Sequence, residues 1–338
     1  MSQFEGKTIL ITGGTGSFGG YFVNYLRDKN FKEIRVFSRD ELKQDEMRQK
    51  LQNTKIKFYI GDIRDRSSVD DSMSGVDYVF HAAALKQVPS CEFFPMQATQ
   101  TNVHGSRNVI DSAISHGVSK VVCLSTDKAV FPINTLGITK ALMEKVVESS
   151  ARNLSERDSI LTIVRYGNVL FSRGSVIPLF LNQINNNKTI TVTEPNMTRF
   201  LLPLKEAIDL VAFALENARQ GDIFVRKASS CSMGDLAQVL KNIFNSKSEI
   251  KTIGMRHGEK MYETLASRGE LLRSEDLKDY LRVSIDGRDL NYNKYLYEGD
   301  KNIVGTEDYN SENTTRMTLD QIEKMLLAQP EIISQLEN

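Results

Sequence analysis

Thr8-Ile9-Leu10-Ile11-Thr12-Gly13-Gly14-Thr15-Gly16-Ser17-Phe18-Gly19 is the stretch that decides the fold. Its first five residues are β-branched or apolar, as in a strand covered on both faces. Glycines at 13, 16 and 19 follow at once, and a helical pattern then runs to about residue 27. In a strand–turn–helix context the three glycines permit a tight turn, close backbone approach to a pyrophosphate, and close packing of helix on sheet. The free N–H groups and positive dipole end of the helix then favour an anion. Gly13, Thr15, Gly16, Ser17, Phe18 and Gly19 are therefore expected to cradle a dinucleotide.

Outward from this turn, strands are predicted at 33–37, 56–60, 76–81, 120–124 and 160–166. Helices are predicted at 40–51, 97–115 and 134–151. Short strands alternating with longer helices imply parallel β-α-β units and a Rossmann-like doubly wound α/β sheet, with ligands at the strand carboxyl ends. Beyond residue 170 the alternation loosens: helices are predicted at 176–186, 205–217, 232–244 and 318–328, a strand at 222–226, and irregular structure at 271–308. The expected organisation is a nucleotide domain over 1–170 to which 200–228 returns. A smaller, interleaved substrate domain is expected over 171–199 and 229–300, with a tail and helix over 301–338. The Tyr-rich stretch 291–309 reads as a lid or a subunit contact.

Composition narrows the function classes. The 338 residues carry 43 Lys plus Arg and 43 Asp plus Glu, so the basic excess of a nucleic-acid binder is missing. No apolar run approaches the length of a membrane span, and the first residues lack the pattern of a signal peptide. Three cysteines (Cys91, Cys123, Cys231) without metal-ligand spacing favour a reduced, cytoplasmic protein. His81, His104, His116 and His257 show no ligand spacing either, and no metal is expected.

The end of the second strand selects the dinucleotide. An acidic residue there would accept from the ribose hydroxyls of NAD, whereas this chain continues as Ser38-Arg39-Asp40-Glu41-Leu42-Lys43. Arg39 and Lys43 can neutralise a 2′-phosphate and Ser38 can donate to it, which favours NADP. Asp40 and Glu41 suit a helix cap. Asp62 and Ile63 are candidates for the adenine, Ala82, Ala83 and Ala84 leave room for a flat ring, and Lys86 is placed to face cofactor and substrate.

The fifth strand ends in Leu124-Ser125-Thr126-Asp127-Lys128, and the next helix carries Leu136-Gly137-Ile138-Thr139-Lys140. With the glycine signature, these residues resemble the extended short-chain dehydrogenase/reductase family over nearly the whole chain. The family's Tyr-x-x-x-Lys dyad falls on Leu136 to Lys140: the lysine is present and the tyrosine is not. By resemblance Lys140 binds the nicotinamide ribose, and Leu136 cannot act as the proton acceptor. The motifs at 38–43, 83–89, 125–128, 165–169, 172–178, 198–200 and 256–260 resemble, more narrowly, the configuration-inverting UDP-N-acetylglucosamine 4,6-dehydratases of bacterial capsule and O-antigen synthesis. Some members of that group carry methionine in place of the tyrosine.

This resemblance implies a hydro-lyase with tightly bound NADP, acting on UDP-N-acetylglucosamine, and a homo-oligomer, possibly a hexamer. Oxidation at C4 would acidify C5–H, after which water is lost across C5–C6 and hydride returns to C6. Lys128 with a lowered pKa is expected as the C5 base and Asp127 as the acid at the leaving hydroxyl. Thr126 would orient the first proton transfer, with Lys128 preferred over Lys140 as the final acceptor. Asn168, Arg173, Gly174, Ser175, Val176, Arg199, Arg256 and Glu259, with Lys86, are carried over as sugar-nucleotide contacts. Two other readings stand beside this one, a UDP-sugar 4-epimerase and an NADP-binding regulatory protein that lost catalysis with its tyrosine.

Overall fold

β1 (Thr8–Thr12) is buried at every residue, as a central parallel strand must be. Helix α1 (Ser17–Arg27) covers it with Gly19, Phe22, Val23 and Leu26, one apolar stripe at helical spacing. The computed structural model describes residues 3–155, 158–172, 174–286 and 307–337. Nine described strands make the main sheet. Six of them, in the order β3 (Ile56–Ile60), β2 (Glu33–Ser38), β1, β4 (Tyr78–His81), β5 (Lys120–Leu124) and β6 (Ile160–Arg165), are parallel. This is the expected doubly wound α/β fold, and its topological switch point lies between β1 and β4.

Strand Ile223–Arg226 extends the sheet in parallel beside β6, and Tyr280–Val283 and Ser274–Asp276 close that edge antiparallel. The prediction of irregular structure at 271–308 is corrected here, because polar edge strands read as loops when only one face is covered. Residues 287–306, with most of the Tyr-rich stretch 291–309, lie outside the described residues. Two cores pack on the sheet's two faces, built around Leu10, Val79 and Val121 on one and Ile9, Phe22 and Phe80 on the other. A third core, around Phe180, Ile190 and Leu236, includes Ile322, Leu326 and Ile332 from the chain's last two helices (Leu319–Leu327 and Pro330–Leu336). The same C-terminal stretch is bolted in place by Ser311. Its Oγ accepts from Glu263 N at 3.0 Å and donates to Thr198 O at 3.1 Å, 113 residues away in sequence.

The helix predicted over 97–115 is interrupted. Pro95–Thr99 is α-helical, Gln100–Gly105 forms a π-helical turn, and Ser106–Ser115 resumes the α-helix. The wider turn places Asn102 fully inside the protein. It accepts from Leu85 N at 2.8 Å and donates to Leu85 O and Thr139 Oγ1, both at 3.0 Å. One buried amide thus fixes the loop after β4 to the helix α2 (Thr135–Arg152) that carries Lys140.

Arg165, at the end of β6, does the same for the other wall of the cleft. Its guanidinium donates to both oxygens of Glu144 on α2, at 2.7 and 2.6 Å, and to Glu270 at 2.8 Å. Ser125, just beyond β5, donates to Glu144 as well. Burial alone would raise the Glu270 pKa, but Arg165 outweighs it and holds it at about 2. That contribution to stability is full above the unfolded value near ~4.3 and fades only as pH falls toward 2. Arg165→Met is expected to lower stability by about 3–5 kcal/mol, because it strands the buried Glu144 carboxylate and the half-buried one of Glu270. The urea midpoint measures it, and adding Glu144→Leu and Glu270→Gln should recover much of the loss.

Candidate active site at the strand ends

The carboxyl ends of the parallel strands open into one cleft of about 1380 Å³. A single small-ligand site measures roughly 300–1,000 Å³, so there is room for two ligands. Every site residue named from the sequence borders this cleft except Arg173, which lies outside the described residues. Gly13 has φ +67°, and a Cβ there would stand 2.9 Å from Ala83 Cα. The glycine turn and the Ala82-Ala83-Ala84 loop therefore touch backbone to backbone. Helix α1 starts at this contact with no side-chain cap and no acidic residue in its first turn. Its N–H groups remain available to a pyrophosphate, so these residues fit a dinucleotide.

Thr12 Oγ1 and Ser106 Oγ engage the two ring nitrogens of His81 at 2.7 and 2.8 Å, and burial pushes the imidazole down to about 3. His81 is thus a neutral brace under the glycine turn. At the outer end, Ser38 Oγ meets Thr15 Oγ1 at 2.7 Å, Arg39 reaches Asp62 at 3.4 Å, and Lys43 pairs with Asp40. Asp62 also takes Arg64, at 2.6 Å. Burial would raise its pKa, and the Arg64 contacts outweigh that and lower it. The carboxylate expected to hold adenine is committed to two arginines, while Ile63 packs beneath.

In the centre, Thr126 Oγ1 donates to Asp127 Oδ1 at 2.8 Å and Lys128 Nζ donates to the same oxygen at 3.0 Å. Asp127 Oδ2 is buried with no hydrogen-bond partner among the described residues. The sequence reading missed Glu263. This buried carboxylate stands 3.5 Å from Lys128, 3.1 Å from Lys260 and 4.0 Å from Arg199. Burial pulls the Lys128 pKa down, but Asp127 and Glu263 outweigh it and hold it above the ordinary lysine value. The lowered pKa expected for Lys128 is corrected: the side chain is a fixed ammonium. The motif at 256–260 ends three residues short of Glu263, and no residue type beyond it distinguishes this carboxylate from a surface one until the far lobe brings it to Lys128.

Leu136 packs in an apolar cluster with Cys91 and Ala98, and Lys140 projects one turn further along α2. Tyr166, also unassigned from the sequence, borders the cleft and stacks on Phe18 with ring centres 5.2 Å apart. Burial and then Asp127 push its phenol well above the ordinary value, so it does not replace the missing tyrosine as a base.

On the sugar side, Asn168 Oδ1 and Ser175 Oγ are buried without partners among the described residues. Helix α3 (Val176–Asn185) begins at Ser175 without a side-chain cap, beside Gly174 and Val176. Arg199, expected as a diphosphate contact, borders the cleft, and its guanidinium donates to Thr198 O at 2.7 Å and leans on Glu263. The loop with Arg256 and Glu259 is tied across the cleft: Asn134 Nδ2 donates to Gly258 O at 2.9 Å and Lys260 Nζ to Val130 O at 3.0 Å. Among the described residues, no three His, Cys, Asp or Glu side chains are grouped to hold a metal, and no helix is long and apolar enough to cross a membrane.

Comparison with known proteins adds the chemistry of relatives. The family described as "Polysaccharide biosynthesis protein" matches residues 9–285, and "Polysaccharide biosynthesis protein C-terminal" matches 286–332. Proteins named UDP-glucose 4-epimerase from Rickettsia rickettsii (strain Sheila Smith) and Rickettsia canadensis (strain McKiel) are 54% and 53% identical, over 99% of this chain and 100% of their own length. The X-ray structure of Pen from Bacillus thuringiensis is 36% identical with a TM-score of 0.87, covering 96% of this chain and 99% of that one. The dTDP-glucose 4,6-dehydratase DesIV from Streptomyces venezuelae shares the fold, at 22% identity and a TM-score of 0.68 over 75% of this chain and 86% of its own. The expectation of a hydro-lyase is overturned by the names of the 53–54% identical relatives, which denote an isomerase. Matched by its family from residue 9 to 285, this protein belongs to the polysaccharide biosynthesis protein family, a nucleotide-sugar branch of the extended short-chain dehydrogenase/reductases.

Proposed function

We propose that the protein is an NADP-dependent UDP-hexose 4-epimerase. The observation that carries this reading is the state of Lys128, an ammonium held by Asp127 and Glu263 at 3.0 and 3.5 Å. A fixed cation beside C4 stabilises the developing ketone oxygen and leaves C5–H alone. The relatives' name supports the same conclusion. Asn168, Ser175 and the start of α3 receive the diphosphate, with Arg256 and Glu259 closing over the uridine. A nicotinamide held by the glycine turn and Lys140 would supply reversible hydride acceptance at C4. The chain's own part is to hold the sugar, keep water out and move the hydroxyl proton.

Incubation with UDP-glucose and with UDP-N-acetylglucosamine in deuterated water, followed by proton NMR, tests the reading. The expected product has the galacto configuration, with no solvent deuterium at C5. A 6-deoxy-4-keto sugar labelled at C5 would sink it, and tight NADP binding without turnover would favour the regulatory reading.

The choice of NADP rests on Ser38, Arg39 and Lys43, which meet at the outer end of the cleft. Arg39→Ala with Lys43→Ala is expected to weaken NADP binding by about 10–100-fold, the worth of one or two charge-assisted hydrogen bonds. NAD binding should change little. Fluorescence titration of both dinucleotides measures the difference.

Self-association is proposed through an apolar face beside the cleft mouth. Phe93 (82% exposed), Phe94 and Met96, on and between the short helices Val88–Phe93 and Pro95–Thr99, are exposed, as are Phe131, Ile133, Ile138 and Leu142 on and before α2, against which those helices pack. Side chains of this size amount to roughly the 800 Å² that a standard interface buries per partner. Phe93→Asp with Ile138→Asp is expected to give monomers in light scattering, while an unchanged mass would rule this face out.

A further inference from the structure

The cleft holds two lysines, Lys128 half-buried and Lys140 buried, in opposite electrostatic settings. Lys128 has carboxylates at 3.0 and 3.5 Å. Lys140, fully enclosed apart from its border with the cleft, has no ion pair among the described residues. Its Nζ donates to Leu124 O at 2.8 Å and stands 3.7 Å from Met143 Sδ. The titratable groups around it are the Cys123 thiol on β5, the Cys91 thiol beneath Leu136, the His81 imidazole on β4 and Glu144 on its own helix. Glu144 is already engaged by Arg165 and Ser125. Asp127 and Lys128, on the turn packed against the helix start, bond to each other. Nothing nearby therefore neutralises an ammonium at Lys140, and burial lowers its pKa to about 8. A neutral amine there donates one hydrogen to Leu124 O and keeps its lone pair for the cleft. Where two groups of one site are driven apart in this way, the acid and base roles follow.

We propose that Lys140 Nζ is the proton acceptor for the sugar 4-hydroxyl, in place of the phenol that Leu136 displaces. The inference rests on the 4-epimerase reading for its substrate. The O–H bond breaks and its proton joins the Nζ lone pair. The oxygen's electrons form the C4 carbonyl as the C4–H pair leaves as hydride for the oxidised nicotinamide. In the return step the carbonyl oxygen takes the proton back from the Lys140 ammonium as hydride adds to the other face. Lys128 stays charged throughout.

The test combines an NMR titration with kinetics on the NADP-loaded protein. With lysine labelled at Cε with carbon-13, one resonance should titrate near pH 8 and be missing from Lys140→Met. The single-turnover rise of reduced nicotinamide at kcat/KM conditions should increase tenfold per pH unit below that value and level off above it. Lys140→Met and Lys140→Arg should each lose about 10²–10⁴-fold. Lys140→Met removes a buried amine that has no ion pair and exchanges its one backbone hydrogen bond for apolar packing, so its Tm should change little, which separates loss of chemistry from loss of fold. Leu136→Tyr, restoring a phenol beside the amine, should move the acid limb to another pH. A Lys140 resonance still protonated above pH 10, or an acid limb that survives in Lys140→Met, overturns the proposal. If the 4-ketone forms but no galacto product appears, the epimerase reading falls and Lys140 stands. If no reduced nicotinamide forms with either UDP-sugar, both fall.

Discussion

The cleft depends on one buried guanidinium. Arg165, the last residue of β6, ties that strand to the helix of Lys140 and to the segment leading away from Glu263, through Glu144, Glu270 and the carbonyl of Leu265. Ser125 joins it through Glu144, so the turn that carries Thr126, Asp127 and Lys128 is anchored to the same charge. Desolvating three ionised groups is costly, and such a network adds little net stability over an apolar core. What it supplies is fixed geometry: four separate segments cannot slide relative to one another without stranding a charge.

The nucleotide end was the more legible half of the sequence. Its information is local: the glycines at 13, 16 and 19 sit beside the strand and helix they join, and hydrophobic period alone separates β1 from α1. The breaks came where tertiary contacts outrank local pattern. The residues 97–115 have helical periodicity, yet the demand for a buried amide at Asn102 opens a π turn inside them. A polar residue in a helix otherwise reads as surface. The short edge strand Ser274–Asp276 is polar for the opposite reason, having solvent along one side.

The catalytic end was legible in its residue types and not in their charge states. Asp127 and Lys128 are adjacent in the chain, so their pairing was open to inspection. The second carboxylate that holds the proton on Lys128 is Glu263, 135 residues later, seated by Arg199 and Lys260. Conversely, the sequence offers Lys140 both as a ribose contact and as the second choice of proton acceptor, and its lack of a carboxylate becomes visible only once Glu144 is seen spent on Arg165. A zero net charge for the whole chain is compatible with this, since the ionised groups are sorted locally and in pairs.

The Ser311 bolt has a further consequence. It clasps Thr198 and Glu263, and the helices after it complete the third core, so the second lobe is stitched by the stretch from Ser311 onward. The glycine turn and β1 to β6 are all made by residue 165. As the chain emerges during synthesis, the dinucleotide end can assemble well before the wall that seats Glu263 exists. Cofactor capture then comes early and sugar-nucleotide competence last, an order written into the path of the chain.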